Sequence, residues 1–188
     1  MKLSPQYTDA QWKAAFGGHE DWKTAIDILK DRIEGRWLTW ADQILDAQYS
    51  GFAVLALDCI VLESIWGFMN GKSIPRKHEQ QVYREMLAHP RLGWNDTESD
   101  SFREFVRNGL MHDAETRNQW IVEQTIPTNS IIEKRTSGGY VINRTMFHQA
   151  LKATFEDWIA QLRAGSDVAL LRNMRDRMNQ IIAKHYAA

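Results

Sequence analysis

The sequence predicts a mostly α-helical bundle of about six or seven helices, with a small antiparallel β-hairpin insertion near residues 119–143. Three observations predict it. Apolar residues recur at steps of three and four along most of the chain, which places them on one face of successive helices. Between Trp120 and Asn143 that period gives way to short β-branched and aromatic runs. No internal repeat and no Pro/Gly/Ser linker divides the 188 residues, so 1–188 reads as one domain. A hydrophobic content of 44% supplies a substantial core without covalent staples.

Taken in order, Trp22, Ile26, Leu29 and Ile33 form a helical stripe that Gly35 is expected to interrupt, and Leu38, Ala41, Ile44 and Leu45 form a second. The run Phe52 to Asn70 is apolar nearly all round, as befits a helix surrounded by others, and Asn70-Gly71 marks its stop. Arg76 to His89 reads as an amphipathic helix closed by Pro90, whose ring disfavours helical geometry at the residue before it. RLGWNDTESD reads as a loop in which Thr97 or Ser99 caps the next helix, carrying Phe102, Phe105, Val106 and Leu110 to about Glu115. Trp120–Thr125, Ile131–Arg135 and Tyr140–Asn143 are strand-like, with the Gly138-Gly139 turn before the last. From Thr145 a helix runs through Phe147, Leu151, Phe155, Trp158, Ile159 and Leu162 until Gly165, and the last carries Leu171, Met174, Met178, Ile181 and Ile182.

Several function classes fall away. The single cysteine, Cys59, has no disulfide partner, which suits a reducing compartment, and the N-terminus shows no apolar secretory core, so cytoplasm is the expected location. Asp58 and Glu63 interrupt the one run of near-membrane length, so no membrane partner is expected. With 23 basic against 24 acidic residues there is no global field for nucleic acid, and any such contact needs a local patch. Arg172, Arg175, Arg177 and Lys184 on the last helix could hold an RNA backbone, but Asp176 is interleaved and a solvated helix face is the expected meaning. Walker A, G-x-G-x-x-G, H-E-x-x-H and nucleophile-elbow patterns are missing. The six histidines stand at no metal-ligand spacing, so neither metal nor cofactor is expected.

What remains is FREFVRNGLMHDAETR, where polar and ionisable groups crowd the end of one apolar helix. Arg107, Asn108 and His112, with Gly109 between them, are followed by Asp113, Glu115 and Arg117. REMLAH, from Arg84 to His89, has the same Arg-to-His spacing, but Glu85 follows its arginine, no glycine is present and Pro90 comes next. Context therefore favours Arg107 to His112 over Arg84 to His89.

In RNGLMH the sequence resembles the HEPN superfamily, and the likeness extends over about Gly51 to Arg163 through the upstream helix LDCIVLES, the aromatic run WIVE and the two-helix C-terminus. The resemblance implies a helical bundle and a metal-independent endoribonuclease that works as a homodimer on RNA. Its implied setting is bacterial toxin–antitoxin or phage defence, with a cognate antitoxin or other defence protein as partner. A non-catalytic HEPN-like module for nucleotide binding or assembly is the alternative.

The chemistry fits these residue types. A histidine titrates near neutrality, so His112 could take a proton from a ribose 2′-hydroxyl or return one to the leaving oxygen. Arg107 would neutralise charge building on the phosphate, and Asn108 would orient phosphate or imidazole. On an ideal helix Arg107 and His112 lie about 140° apart, so one helix does not aim both at one point. The resemblance implies that two motif helices meet across a dimer, an arrangement that Gly109 suits by permitting close approach; the alternative is a helix distorted just before His112. Each residue also has a structural reading: His112 as a charge at a helix C-terminus, Arg107 in an ion pair with Glu104, Asp113 or Glu115. Asp58 or Glu63 could anchor Arg107 from the apolar helix, since a buried carboxylate needs a partner.

Overall fold

The computed structural model describes residues 1–75 and 77–186. α1 (Asp9–Ala14) begins under a Thr8–Gln11 capping box, and α2 (Trp22–Ile33) is capped by Asp21. A π-helical turn, Glu34–Leu38, then carries α2 into α3 (Thr39–Ile44). The expected interruption at Gly35 is thus absent. That glycine instead lets the N-terminal segment cross, because a Cβ there would stand 2.6 Å from Pro5 Cγ.

α4 (Gly51–Met69) is the central element and packs against α3, α5, α7, α8, α9 and β1. It is long and apolar enough to cross a membrane, yet its Val54, Leu55, Val61, Leu62 and Ile65 are buried inside the bundle. Asn70 caps it and Gly71, at φ +65°, turns the chain away, as the sequence indicates. α5 (Glu79–Leu87) covers most of the expected Arg76–His89 helix, and Arg76 lies outside the described residues.

α6 (Asp96–Phe102), a π turn at Arg103–Arg107 and α7 (Asn108–Asp113) form the motif helix. Its cap is Asn95 rather than Thr97 or Ser99. The Asn95 side chain accepts from the Glu98 amide at 3.0 Å, and Glu98 accepts from the Asn95 amide at 2.9 Å. Residues 144–186 form α8 (Arg144–Ala164) and α9 (Val168–Tyr186), parted by Gly165 in left-handed geometry. Counting the π turns as parts of the helices they join, seven continuous helices are present among the described residues.

The strands correct the expected antiparallel insertion. β1 (Ile121–Glu123), β2 (Ile132–Lys134) and β3 (Tyr140–Asn143) form a mixed sheet in the order β1-β3-β2. β2 pairs antiparallel with β3 across the Gly138-Gly139 turn, whereas β1 pairs parallel with β3, Val122 opposite Ile142. Parallel pairing needs a crossover of about a dozen residues or more, and 124–139 supplies it, with β2 inside it and Ile126 buried on the way.

An aromatic cluster seats this sheet on the motif helix. Trp120 lies 4.8 Å from Tyr140 and 5.8 Å from Phe102, ring centre to ring centre, while Phe102 packs 5.3 Å from both Trp94 and Phe147. Trp120 Nε1 donates to Ser101 Oγ at 3.0 Å, so the indole is satisfied where it is buried. Packing of this size fixes α6 and leaves the polar end of α7 projecting from the core.

Candidate functional site

Arg107 sits where the π turn gives way to α7. The Asn108 amide bonds back five residues to the Arg103 carbonyl, widening the turn just before the motif. Such turns recur at functional sites because they redirect side chains without ending the helix. The sequence left open a distortion just before His112; the structure puts it earlier, before Asn108, so Arg107 and His112 still diverge along an ordinary helical turn.

Arg107 reaches α4 and is half-buried. Its Nε donates to Glu63 Oε1 at 2.8 Å, its Nη1 donates to Asn108 Oδ1 at 3.0 Å, and Glu79 Oε2 stands 3.7 Å from Nη1. The same Glu63 oxygen accepts the Tyr83 hydroxyl at 2.9 Å. Burial alone would lower the guanidinium pKa, but the Glu63 charge and then the neighbouring groups more than offset it and hold it raised. Glu63 is therefore the anchor, and the pairings of Arg107 with Glu104, Asp113 or Glu115 are absent among the described residues. Nη2 of Arg107 has no hydrogen-bond partner there.

Asn108 Nδ2 approaches Glu104 Oε2 at 3.4 Å, and Glu104 also accepts from Arg103 at 3.1 Å. His112 is exposed in the last turn of α7, with no hydrogen-bond partner among the described residues. Asp113 pairs with Arg117, and exposed Glu115 lies past Ala114, which ends the helix at φ +55°.

Two expectations are corrected. Gly109 is buried, but by its own chain: a Cβ would collide with the Glu115 carbonyl and press on Arg117 Cγ at 3.4 Å. The bare position admits the returning backbone of its own chain. Asp58 does not touch Arg107. It lies fully buried against His148, whose Nδ1 stands 2.7 Å from Asp58 Oδ1, while His148 Nε2 stands 3.1 Å from Asp42 Oδ1. Lys152 completes the chain with two contacts to Asp42, 2.7 and 2.8 Å.

Burial raises the Asp58 pKa against the opposing pull of His148. Burial would lower that of His148, but hydrogen bonds and charge from Asp58 and then Asp42 hold it above the usual histidine value. Sequence reading missed this cluster, since 90 and 106 residues separate the histidine from its two aspartates. Its only signal was a carboxylate in an apolar helix.

The chain matches no protein-family model, no curated protein and no solved structure. The site must be read from its own geometry.

Glu63 also lines a groove of about 270 Å³ with Ile60, Ser64, Gly67, Ile74 and Arg177. Burial lowers the pKa of Arg177, which has no ion pair among the described residues. Arg175, by contrast, is taken by Glu20 at 2.8 Å. The rival Arg84–His89 spacing is absorbed by packing: Arg84 Nε binds Asp100 at 2.8 Å and His89 Nδ1 lies 3.2 Å from Thr154 Oγ1. Among the described residues no group of three or more His, Cys, Asp or Glu side chains could hold a metal ion.

Proposed function

We propose that this chain is a metal-independent endoribonuclease of the HEPN type, acting as a homodimer. The observation that supports it is the mounting of Arg107. Two of its nitrogens are held by Glu63 and Asn108, and the third is left to meet a phosphate. His112, on the same short helix, keeps both ring nitrogens available for proton transfer.

In this reading His112 takes the proton of a ribose 2′-hydroxyl, the 2′-oxygen attacks the adjacent phosphorus, and the P–O5′ bond breaks. A protonated imidazole supplies the proton to the leaving 5′-oxygen, leaving a 2′,3′-cyclic phosphate. Arg107 balances the charge on the phosphoryl oxygens. Because Arg107 is drawn toward α4 while His112 faces solvent, one scissile bond is served by the arginine of one copy and the histidine of the other. A cognate antitoxin or other defence protein is the partner such an activity calls for.

Labelled single-stranded RNA incubated with the purified chain in EDTA tests the reading. Cleavage that persists under chelation, leaves cyclic ends, spares 2′-deoxy substrates and is lost in His112→Ala and Arg107→Ala supports it. Cleavage indifferent to both substitutions removes the site assignment, and strictly monomeric light scattering removes the composite cleft.

A second reading, a non-catalytic nucleotide-binding or assembly module, draws on Glu79. With Glu63 it places two carboxylates around one guanidinium, which offsets the charge available to a phosphate. RNA binding without any cleavage in the same assay favours it.

A further inference from the structure

The N-termini of α4 and α8 meet at a pocket far from Arg107. Gly51 opens α4 and Arg144 opens α8. The two touch, since a Cβ on Gly51 would stand 3.1 Å from Arg144 Nη1 and 2.8 Å from Val122 Cγ1. Around them lies a pocket of about 500 Å³, also lined by Tyr49, Phe52, Glu123 and Gln124. From Gly51 to Glu63 is twelve residues, about 18 Å of helix, so this is a separate place.

Its electrostatics are incomplete. Arg144 is 94% buried, being 6% exposed, yet it forms no ion pair among the described residues. Its one side-chain hydrogen bond there is Nη2 to the Ala47 carbonyl at 3.1 Å, and Nε is buried with no partner. A guanidinium taken out of water without a countercharge is costly.

The helix ends deepen the deficit. Each N-terminus carries roughly half a positive charge, and neither first turn contains an acid. No side chain caps α4, because the Ser50 hydroxyl donates to Ala47 at 2.8 Å instead. The amides of its first turn therefore have no side-chain acceptor, and Gly51 and Phe52 of that turn line the pocket. Glu123 is exposed and lies beyond ion-pair distance of Arg144.

Beside this positive centre stands Tyr49, 91% exposed and held at φ +63°, a conformation unfavourable for a bulky side chain. Phe52 follows one turn on. An anion seat flanked by an exposed aromatic ring is the combination that holds a phosphate and stacks a base.

We infer that this pocket binds a nucleotide, its phosphate on Arg144 and the α4 amides and its base against Tyr49. Burial of Arg144 without a carboxylate is what an anionic ligand would complete. The inference does not depend on cleavage at Arg107 and His112.

Calorimetric titration of the full chain with uridine monophosphate, uridine and inorganic phosphate tests it. The monophosphate binds, inorganic phosphate binds more weakly, and uridine binds at least about tenfold more weakly than the monophosphate. Arg144→Met abolishes phosphate binding. Should that variant fail to fold, Tyr49→Asn, which tolerates the left-handed backbone, weakens the monophosphate about tenfold and leaves inorganic phosphate unchanged. Oligoribonucleotides with 5′-phosphate and 5′-hydroxyl ends then distinguish a chain end from a free nucleotide. Equal binding of uridine and its monophosphate, no phosphate binding, or indifference to Tyr49→Asn overturns the site.

Discussion

Glu63, in the fourth turn of α4, and Arg107, at the end of the π turn, form the ion pair around which the polar cluster is organised, with 2.8 Å between Oε1 and Nε. Tyr83 fixes the same carboxylate oxygen from α5, so three helices set the direction of one guanidinium. Under the ribonuclease reading Glu63→Ala lowers cleavage about 100-fold, the loss expected when a catalytic group is misplaced by about an ångström. Glu63→Gln, which still offers an oxygen, falls between. Single-turnover rates decide, and wild-type rates in Glu63→Ala would show that the anchor is irrelevant to chemistry.

Gly109→Ala forces a Cβ into the Glu115 carbonyl. Overpacking of this kind destabilises by about 1–3 kcal/mol, so the midpoint of urea unfolding should drop. If Gly109 instead served a facing helix of a second copy, the variant would lose dimerisation with its unfolding midpoint measured on the monomer unchanged.

The Asp58–His148–Asp42 cluster makes stability depend on pH. Both ring nitrogens of His148 face carboxylate oxygens, an arrangement that suits an imidazolium donating twice. Its folded pKa is raised above the unfolded value of about 6.5, so its contribution is full below that value and is lost as pH rises through the folded pKa. Asp58, also raised by burial, acts in the same direction, because the folded state again holds the proton more tightly. Asp42, whose pKa is lowered despite the opposing effect of burial, by Lys152 and then His148, contributes above about pH 4 and loses that contribution on acidification. The melting temperature should therefore fall as pH rises above about 6.5, and His148→Gln should flatten the slope. A slope unchanged in that variant would place the titration elsewhere.

Removing only one partner of the buried pair is the worse change. His148→Leu leaves Asp58 uncompensated in the core and should cost about 3–5 kcal/mol. The Asp58→Leu, His148→Leu double variant should recover part of that loss, because two apolar groups replace a desolvated pair. Additive losses across the double-mutant cycle, read by urea denaturation, would show that the two side chains are not coupled.

Much of the fold was legible because helical periodicity is a local property. The stripe through Phe147, Leu151, Phe155 and Leu162 and the stop at Gly165 both reflect geometry within a few residues. The failures were places where a distant segment chose the outcome. Gly35 looks like a helix breaker until Pro5 is packed on it, and β1 looks like half of a hairpin until the chain crosses over to give it a parallel partner. Thr97 and Ser99 lost the cap to Asn95, whose capping-box partner, Glu98, was present in the sequence.

The polar cluster divides the same way. Arg107, Asn108 and His112 stand out in one dimension because their types and spacing are local. Glu79 and Tyr83 carry no such signal, being ordinary residues of an amphipathic helix that happens to pack beside Glu63. Arg144 was invisible for the converse reason. An arginine reads as a surface residue, and only its seat against Gly51 shows that it is buried without a countercharge.

Sequence alone settled a helical bundle built round the apolar run that became α4, because burying such a stripe leaves few alternatives to helix on helix. Tertiary structure decided which charges meet: Glu63 rather than Asp58 for Arg107, and Asp42 with Asp58 for His148. Hydrophobic burial depends on area and tolerates many arrangements, so pattern suffices to specify it. Ion pairs and hydrogen bonds act over a few ångströms and in fixed directions, so their partners are set only when the helices have packed.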